Sequence, residues 1–307
     1  MRIILVLLLT STVAMAEVPQ VVTDIPPVHS IVAMVMGDLG TPELLLGKDA
    51  DEHDFQLKPS QMMALAEADL VVWVGPNLTP WLDGALDARS GEGAVLTLFD
   101  DVGTYKINYF VSALNDDEDQ AEGAEEEGHD DHGADSIDPH VWLDPSTAQW
   151  WTGMIAAELS RLDPENTATY AANAEAASAA IAKAEAEAKA LLEPVKDRPF
   201  VTFHAAYGYY ITYFGLTPAG TIALGDAASP GAARLSELRA KLAAGGEVCI
   251  FPEVQHDPAL VEQMAEGTGA RIGGALDPVG STLEPGPDAY AALITGTARV
   301  IADCLAD

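Results

Sequence analysis

Seven histidines are the side chains of this 307-residue chain best suited to chemistry: His29, His53, His129, His132, His140, His204 and His256. Neutral imidazole is a nitrogen donor suited to borderline-soft cations, and three of the seven stand where ligands gather. His53 lies in the loop GKDADEHDF, after the short apolar run Glu43 to Leu46. His140 lies in DPHVWLDP, ahead of a helical stretch, and His204 directly follows the strand-like segment Phe200 to Phe203. In open α/β sheets, ligands bind beyond the carboxyl ends of the strands. Asp277, in ALDPVG after another strand-like run, offers a carboxylate. Three imidazoles and one carboxylate suit tetrahedral zinc. The donors are scattered, however, and a solvated or hydrogen-bonded histidine is the commoner fate of any one of them. Spacing alone leaves both outcomes open. His29, near a helix start, reads as structural, and His256 in PEVQHDP carries no assigned role.

The elements that must position these residues fall into two similar regions. In the first half, the β-rich stretch Gln20 to Thr23 precedes helical apolar spacing from Pro27 to Met36. Pro59 opens a helix running through Ala68, since a first-turn position needs no N–H donor. The apolar segment Leu70 to Gly75 then reads as a buried strand. Short apolar runs alternating with helices imply βαβ units and a parallel sheet. After Asp163, an N-cap type, and Pro164, 29 alanine-rich residues run from Glu165 to Glu193 before Pro194. Such a helix would be about 43 Å long at 1.5 Å per residue. Beyond it, Phe200 to Phe203, Val248 to Phe251 and Arg271 to Ile272 repeat the strand pattern. The expected organisation is a first α/β lobe over 17–162, a linking helix over 163–193 and a second α/β lobe over 194–307.

Arg2 is the one charge in the first sixteen residues; an apolar run and Ala14-Met15-Ala16 follow it. That order reads as a secretory signal peptide over 1–16. A membrane anchor would need about 18 or more apolar residues. No cysteine adjoins the cleavage site, so a free exported protein is expected rather than a lipoprotein. Cys249 and Cys304 are an even pair in an exported chain, which suggests one disulfide, with two unpaired thiols as the alternative. The net charge of −33 repels nucleic acid and attracts cations. Eleven acids lie between Asp116 and Asp135, in a stretch over 115–136 with nothing to bury, which reads as a disordered acidic loop.

The segments GKDADEHDFQLKPSQ, DPHVWLDP, FVTFHAAYGYY and LDPVGS resemble, in order and separation, those of the ZnuA-like solute-binding proteins of zinc ABC transporters. The resemblance spans the whole mature chain. It implies two pseudo-symmetric α/β lobes with parallel sheets, joined by one long rigid helix, with the metal held between them. It also implies His53, His140 and His204 as metal ligands and Asp277 as the fourth, with Glu52 or water as the alternative fourth ligand. Manganese-binding relatives typically carry a glutamate where this chain has His204, so the imidazole favours zinc. The acidic loop resembles the family's histidine-rich insertion but has only His129 and His132, which leaves auxiliary zinc binding and a plain solvated loop equally open.

Those similarities imply a periplasmic, monomeric zinc carrier that serves a membrane permease, with a metallochaperone as a further candidate partner. A binding protein for manganese or iron, and an adhesin or zinc buffer of the same fold, stand as alternatives. An exported zinc hydrolase is the rival enzyme class. The chain has neither HExxH nor GxSxG, and Glu52 is its one candidate base, so no enzyme is expected.

Overall fold

The computed structural model describes residues 18–109, 137–223, 231–245 and 248–306. The expected signal peptide, and the acidic loop with His129 and His132, lie outside the described residues. The first sheet contains β1 (Val21–Thr23), β2 (Glu43–Leu44), β3 (Leu70–Trp73) and β4 (Ala94–Thr97) in the order β2-β1-β3-β4, every pair parallel. All four residues of β3 are buried, as the unbroken apolar run requires of a strand covered on both faces. Around this sheet lie α1 (Pro26–Met36), α2 (Pro59–Glu67), α3 (Pro80–Ala88) and α4 (Pro145–Leu162). Asp24, fully buried at the end of β1, accepts the N–H groups of Ile25 and Val74, each at 2.8 Å.

After α5 (Thr167–Leu192) comes the second sheet, built from β5 (Phe200–Thr202), β6 (Pro218–Thr221), β7 (Cys249–Ile250) and β8 (Arg271–Ile272). Its order, β6-β5-β7-β8, repeats that of the first sheet, again all parallel. Helices α6 (Gly208–Phe214), α7 (Ala232–Gly245), α8 (Ala259–Ala265) and α9 (Ala289–Ala306) accompany it. The two lobes are thus α/β units of one topology.

Helix α5 begins later than the residue types suggest. Pro164–Asn166 form a 3-10 turn, and the α-helix starts at Thr167. The Asp163 carboxylate, instead of capping a backbone N–H, accepts from Asn166 Nδ2 at 2.6 Å and from the Tyr170 hydroxyl at 2.9 Å. The helix buries Tyr170, Ala174, Ala177, Ile181, Ala184, Ala188 and Leu192. That spacing of three and four puts them on one stripe. The stripe packs against α1 and α4 of the first lobe and α9 of the second. Alanine on this stripe allows the helices to approach closely, so one element serves as the common spine of both lobes.

Further bonds join the lobes. Trp142 Nε1 donates to Pro278 O at 2.8 Å, and the Tyr290 hydroxyl donates to Trp142 O at 2.8 Å. The Tyr209 hydroxyl donates to Asp138 O at 2.8 Å and accepts from Ile107 N at 3.1 Å. A disulfide joins Cys249 in β7 to Cys304 in α9, 55 residues apart, and so ties the second sheet to the helix that packs on the spine.

Closing a loop of that length stabilises a fold by about 4 kcal/mol in the chain-entropy model. Replacing both cysteines by serine is expected to lower the melting temperature markedly in thermal scans. Metal affinity should change little, because neither sulfur belongs to a group of potential ligands among the described residues.

Candidate metal centre

Each histidine that could take part sits on a differently built support. His53 lies in the loop between β2 and α2, where its N–H donates to Asp51 Oδ1 at 2.8 Å. The same loop is pinned by Trp81 Nε1 donating to Glu52 O at 2.8 Å. His140 immediately precedes a 3-10 turn, Val141–Leu143, that leads into α4. Asp144 caps that helix, accepting from Ser146 N at 2.7 Å and Thr147 N at 3.3 Å, with Pro145 at the first helical position. The motif DPHVWLDP is thus two short turns, each organised by its aspartate. His204 follows β5 directly, and Glu253 follows the adjacent β7. Strand order reverses between these two strands, which makes their carboxyl ends the switch point where open α/β sheets bind ligands.

Ligand atoms of His53, His140 and His204 all lie within 4.8 Å of one another. The ring centroids are 5.4 Å apart for His53 and His140, 5.5 Å for His140 and His204, and 6.4 Å for His53 and His204. Zinc bound at about 2.1 Å holds two nitrogens about 3.4 Å apart, so one ion fits the triangle with rotamer-scale adjustment. His140 and His204 are buried, and His53 is the half-buried member.

Two carboxylates orient two of the rings. Asp138 Oδ1 accepts from His140 N at 2.9 Å and lies 2.7 Å from His140 Nδ1. Glu253 Oε2 lies 2.5 Å from His204 Nδ1, and its Oε1 accepts from His204 N at 3.3 Å. With Nδ1 protonated and bound to a carboxylate, Nε2 is the nitrogen that carries the lone pair. Nε2 of His140 is buried and has no hydrogen-bond partner among the described residues, an orphaned acceptor that an ion would satisfy.

Glu52 is buried, with Oε1 3.9 Å from His53 Nε2. Asp277, expected as the fourth ligand, belongs to neither group of potential ligands among the described residues. Its Oδ1 accepts from Ser281 N at 2.9 Å, and its Oδ2 accepts from Thr282 N at 2.9 Å and Thr282 Oγ1 at 2.8 Å. Both oxygens therefore organise the turn that follows, a use that LDPVGST contains but that a search for ligand types overlooks.

Glu253, Asp138 and Tyr207 are the residues that sequence reasoning missed. The first stands after a strand-like run, the same signal that marked His204. The Tyr207 hydroxyl is buried and lacks a hydrogen-bond partner among the described residues. Burial, followed by the negative charges of Glu253, Asp277 and Glu52, raises its pKa well above the ordinary phenol value, so it remains a donor. His29 lies apart from the cluster, with Nε2 3.1 Å from Pro42 O, and burial lowers its pKa. That hydrogen bond fits the structural role expected of it. His256 stacks on Phe203 at 4.4 Å, beside the triangle.

Fold and site together define a two-lobed binding protein with a nitrogen-rich pocket where the lobes meet. The model of the family described as zinc-uptake complex component A periplasmic, ZnuA, matches residues 21–304, and the chain belongs to that family. It is 46% identical over 304 residues to the high-affinity zinc uptake system protein ZnuA of Paracoccus denitrificans, covering 95% of this chain and 93% of that one. Its identity to the Brucella abortus protein of the same name is 37% over 307 residues, covering 93% and 91%. Among solved structures, a crystal structure of ZnuA superposes with a TM-score of 0.73 at 24% identity, covering 93% of this chain and 99% of that one. The solute-binding protein FpvC of Pseudomonas aeruginosa, in complex with Mn²⁺, gives 0.77 at 19% identity, covering 94% and 99%. These last two likenesses concern the fold.

Glu253→Gln and Asp138→Asn keep the shape but weaken the hold on each ring. Loss of such a supporting carboxylate typically costs about 10- to 100-fold in metal affinity. Competition titration against a zinc chelator should find both variants in that range, with apo melting temperatures near that of the parent.

Proposed function

We propose that this chain is the periplasmic zinc-binding component of an ABC importer, capturing Zn²⁺ between its lobes and delivering it to a membrane permease. The observation that carries the reading is the triangle of His53, His140 and His204, two of whose rings are turned by buried carboxylates so that Nε2 is the donor. Three neutral imidazoles suit zinc better than the harder Mn²⁺, which favours carboxylate oxygen. Glu52 or a water completes the tetrahedron in this reading, because the Asp277 oxygens are engaged by Ser281 and Thr282. The role is carriage rather than catalysis: Asp138 and Glu253 are occupied in orienting histidines and are not placed as general bases.

The chain is exported by a signal peptide over 1–16, is not lipidated, and works as a monomer. Its delivery partner is the permease, and a periplasmic metallochaperone is a candidate donor. The formal net charge of −33 over the whole sequence attracts divalent cations to the protein.

The test is a zinc titration of the mature protein followed through Trp142, whose ring lies 5.2 Å from His140. The signal should saturate at one tight equivalent. His140→Ala removes a first ligand and should weaken binding by more than the roughly 100-fold seen for supporting residues. Asp277→Ala should cost less than His140→Ala and act mainly on the melting temperature. If Asp277→Ala proved the more damaging to affinity, the ligand set assigned to the triangle would fail.

A further inference from the structure

The second lobe carries another group of donors that shares just one member with the triangle. Ligand atoms of His204, Glu253 and His256 also lie within 4.8 Å of one another. Glu253 and His256 stand three residues apart in a turn closed by His256 N donating to Glu253 O at 3.3 Å. That turn is anchored to the neighbouring chain segment by Val254 N donating to Leu276 O at 3.0 Å and Leu276 N donating to Pro252 O at 2.8 Å. The His256 ring is held by stacking on Phe203 with an interplanar angle of 19°.

His256 Nε2 lies 3.7 Å from Glu253 Oε2. This is too long for a hydrogen bond, yet close to the separation of about 3.4 Å between two donors on one tetrahedral zinc. Burial grades from one group to the other. Among the rings, the side chain of His140 is 0% exposed, that of His204 is 4% and that of His256 is 25%, while the Glu253 side chain between the last two is 0% exposed. A cavity of about 10 Å³, lined by His53, Glu52, His204, Glu253 and His256 among others, joins the two groups. That is close to the room one water-sized occupant needs.

We propose that His256 and Glu253, together with His204, form a second and weaker station for a borderline divalent cation such as Zn²⁺. It stands on the solvent side of the triangle and is occupied in alternation with it. The proposal rests on the reading that the triangle binds zinc. Alternation follows from His204: an ion at the outer station takes Nδ1, which otherwise donates to Glu253. A neutral imidazole presents one lone pair at a time. Filling the outer station breaks the His204–Glu253 hydrogen bond and leaves the ion beside the more exposed His256 ring, so it binds zinc less strongly than the triangle. An ion arriving from solvent meets the partly exposed His256 first, then the buried Glu253 behind it, and passes inward along the His204 ring without returning fully to water.

Full-length mature protein tests this, with His129→Asn and His132→Asn throughout so that those imidazoles contribute no zinc binding. Adding His53→Ala and His140→Ala should abolish tight binding and leave one weak zinc equivalent; persistence of tight binding would overturn the reading of the triangle itself. In that background, His256→Gln should lower the residual affinity at least about tenfold, and His256→Cys, which keeps a zinc donor, should restore it. Zinc-edge X-ray absorption of the weak site should show two imidazoles with oxygen. The outer station is overturned if His256→Gln leaves residual affinity unchanged. It is equally overturned if the loss is not restored by cysteine, for then stacking on Phe203 and not ligation would be at work. Apo melting curves of every variant verify that each is folded.

Discussion

A neutral imidazole carries a proton on one nitrogen and a lone pair on the other, so a histidine is a directed ligand only when something decides which is which. In this protein two buried carboxylates decide it: Asp138 beside His140 Nδ1 at 2.7 Å and Glu253 beside His204 Nδ1 at 2.5 Å. Each carboxylate also accepts the backbone N–H of the same histidine. Ring and main chain are thereby fixed by one group. In a buried setting such a pair is far stronger than it would be in water. The rest of the fold serves to deliver these two pairs, one from each lobe, to a common point with His53.

The delivery differs between the lobes, although their sheets share one strand order. In the second lobe the pair stands on the ends of two adjacent strands at the switch point of the sheet, where register is set by ladder hydrogen bonds. The first lobe contributes its histidines from loops, and these require separate fastening. Trp81 pins the segment holding Glu52 and His53, while Asp144 caps the helix that begins just after His140. The Tyr209 and Tyr290 hydroxyls reach across from the second lobe to Asp138 O and Trp142 O. The carboxylate that aims His140 is itself held by a residue of the opposite lobe.

The spine helix and the cross-lobe bonds also bear on how a cleft of this kind can move. Helix α5 packs on α1, α4 and α9, so the lobes share a buried face as well as a connection. Interiors packed in this way deform in small steps and resist open hinge motion. Of the three histidine side chains in the triangle, His53 is the most exposed, at 15%.

Several features were legible in the residues themselves. Continuous apolar runs such as Leu70 to Trp73 can be satisfied only by a strand covered on both faces. The alanine stripe of α5 reads directly as a long helix seeking close partners. His53, His140 and His204 were legible as candidates from their places beside the elements of an α/β pattern, but spacing left their role open and only the family resemblance grouped them as ligands. Other features depended on through-space arrangement. Asp163 has the composition of a cap, yet tertiary packing of Tyr170 draws its carboxylate away, and the helix starts four residues later. Asp277 has the chemistry of a ligand, and its oxygens also accept the N–H groups of Ser281 and Thr282, a local use that residue type alone does not announce. Glu253, 49 residues from His204 in sequence, becomes its partner only because β5 and β7 lie side by side. Sequence alone determined which residue types could bind an ion and roughly which elements hold them. Tertiary structure decided which carboxylates orient histidines and which close turns, because hydrogen bonding is settled by distances of a few ångströms that spacing along the chain does not encode.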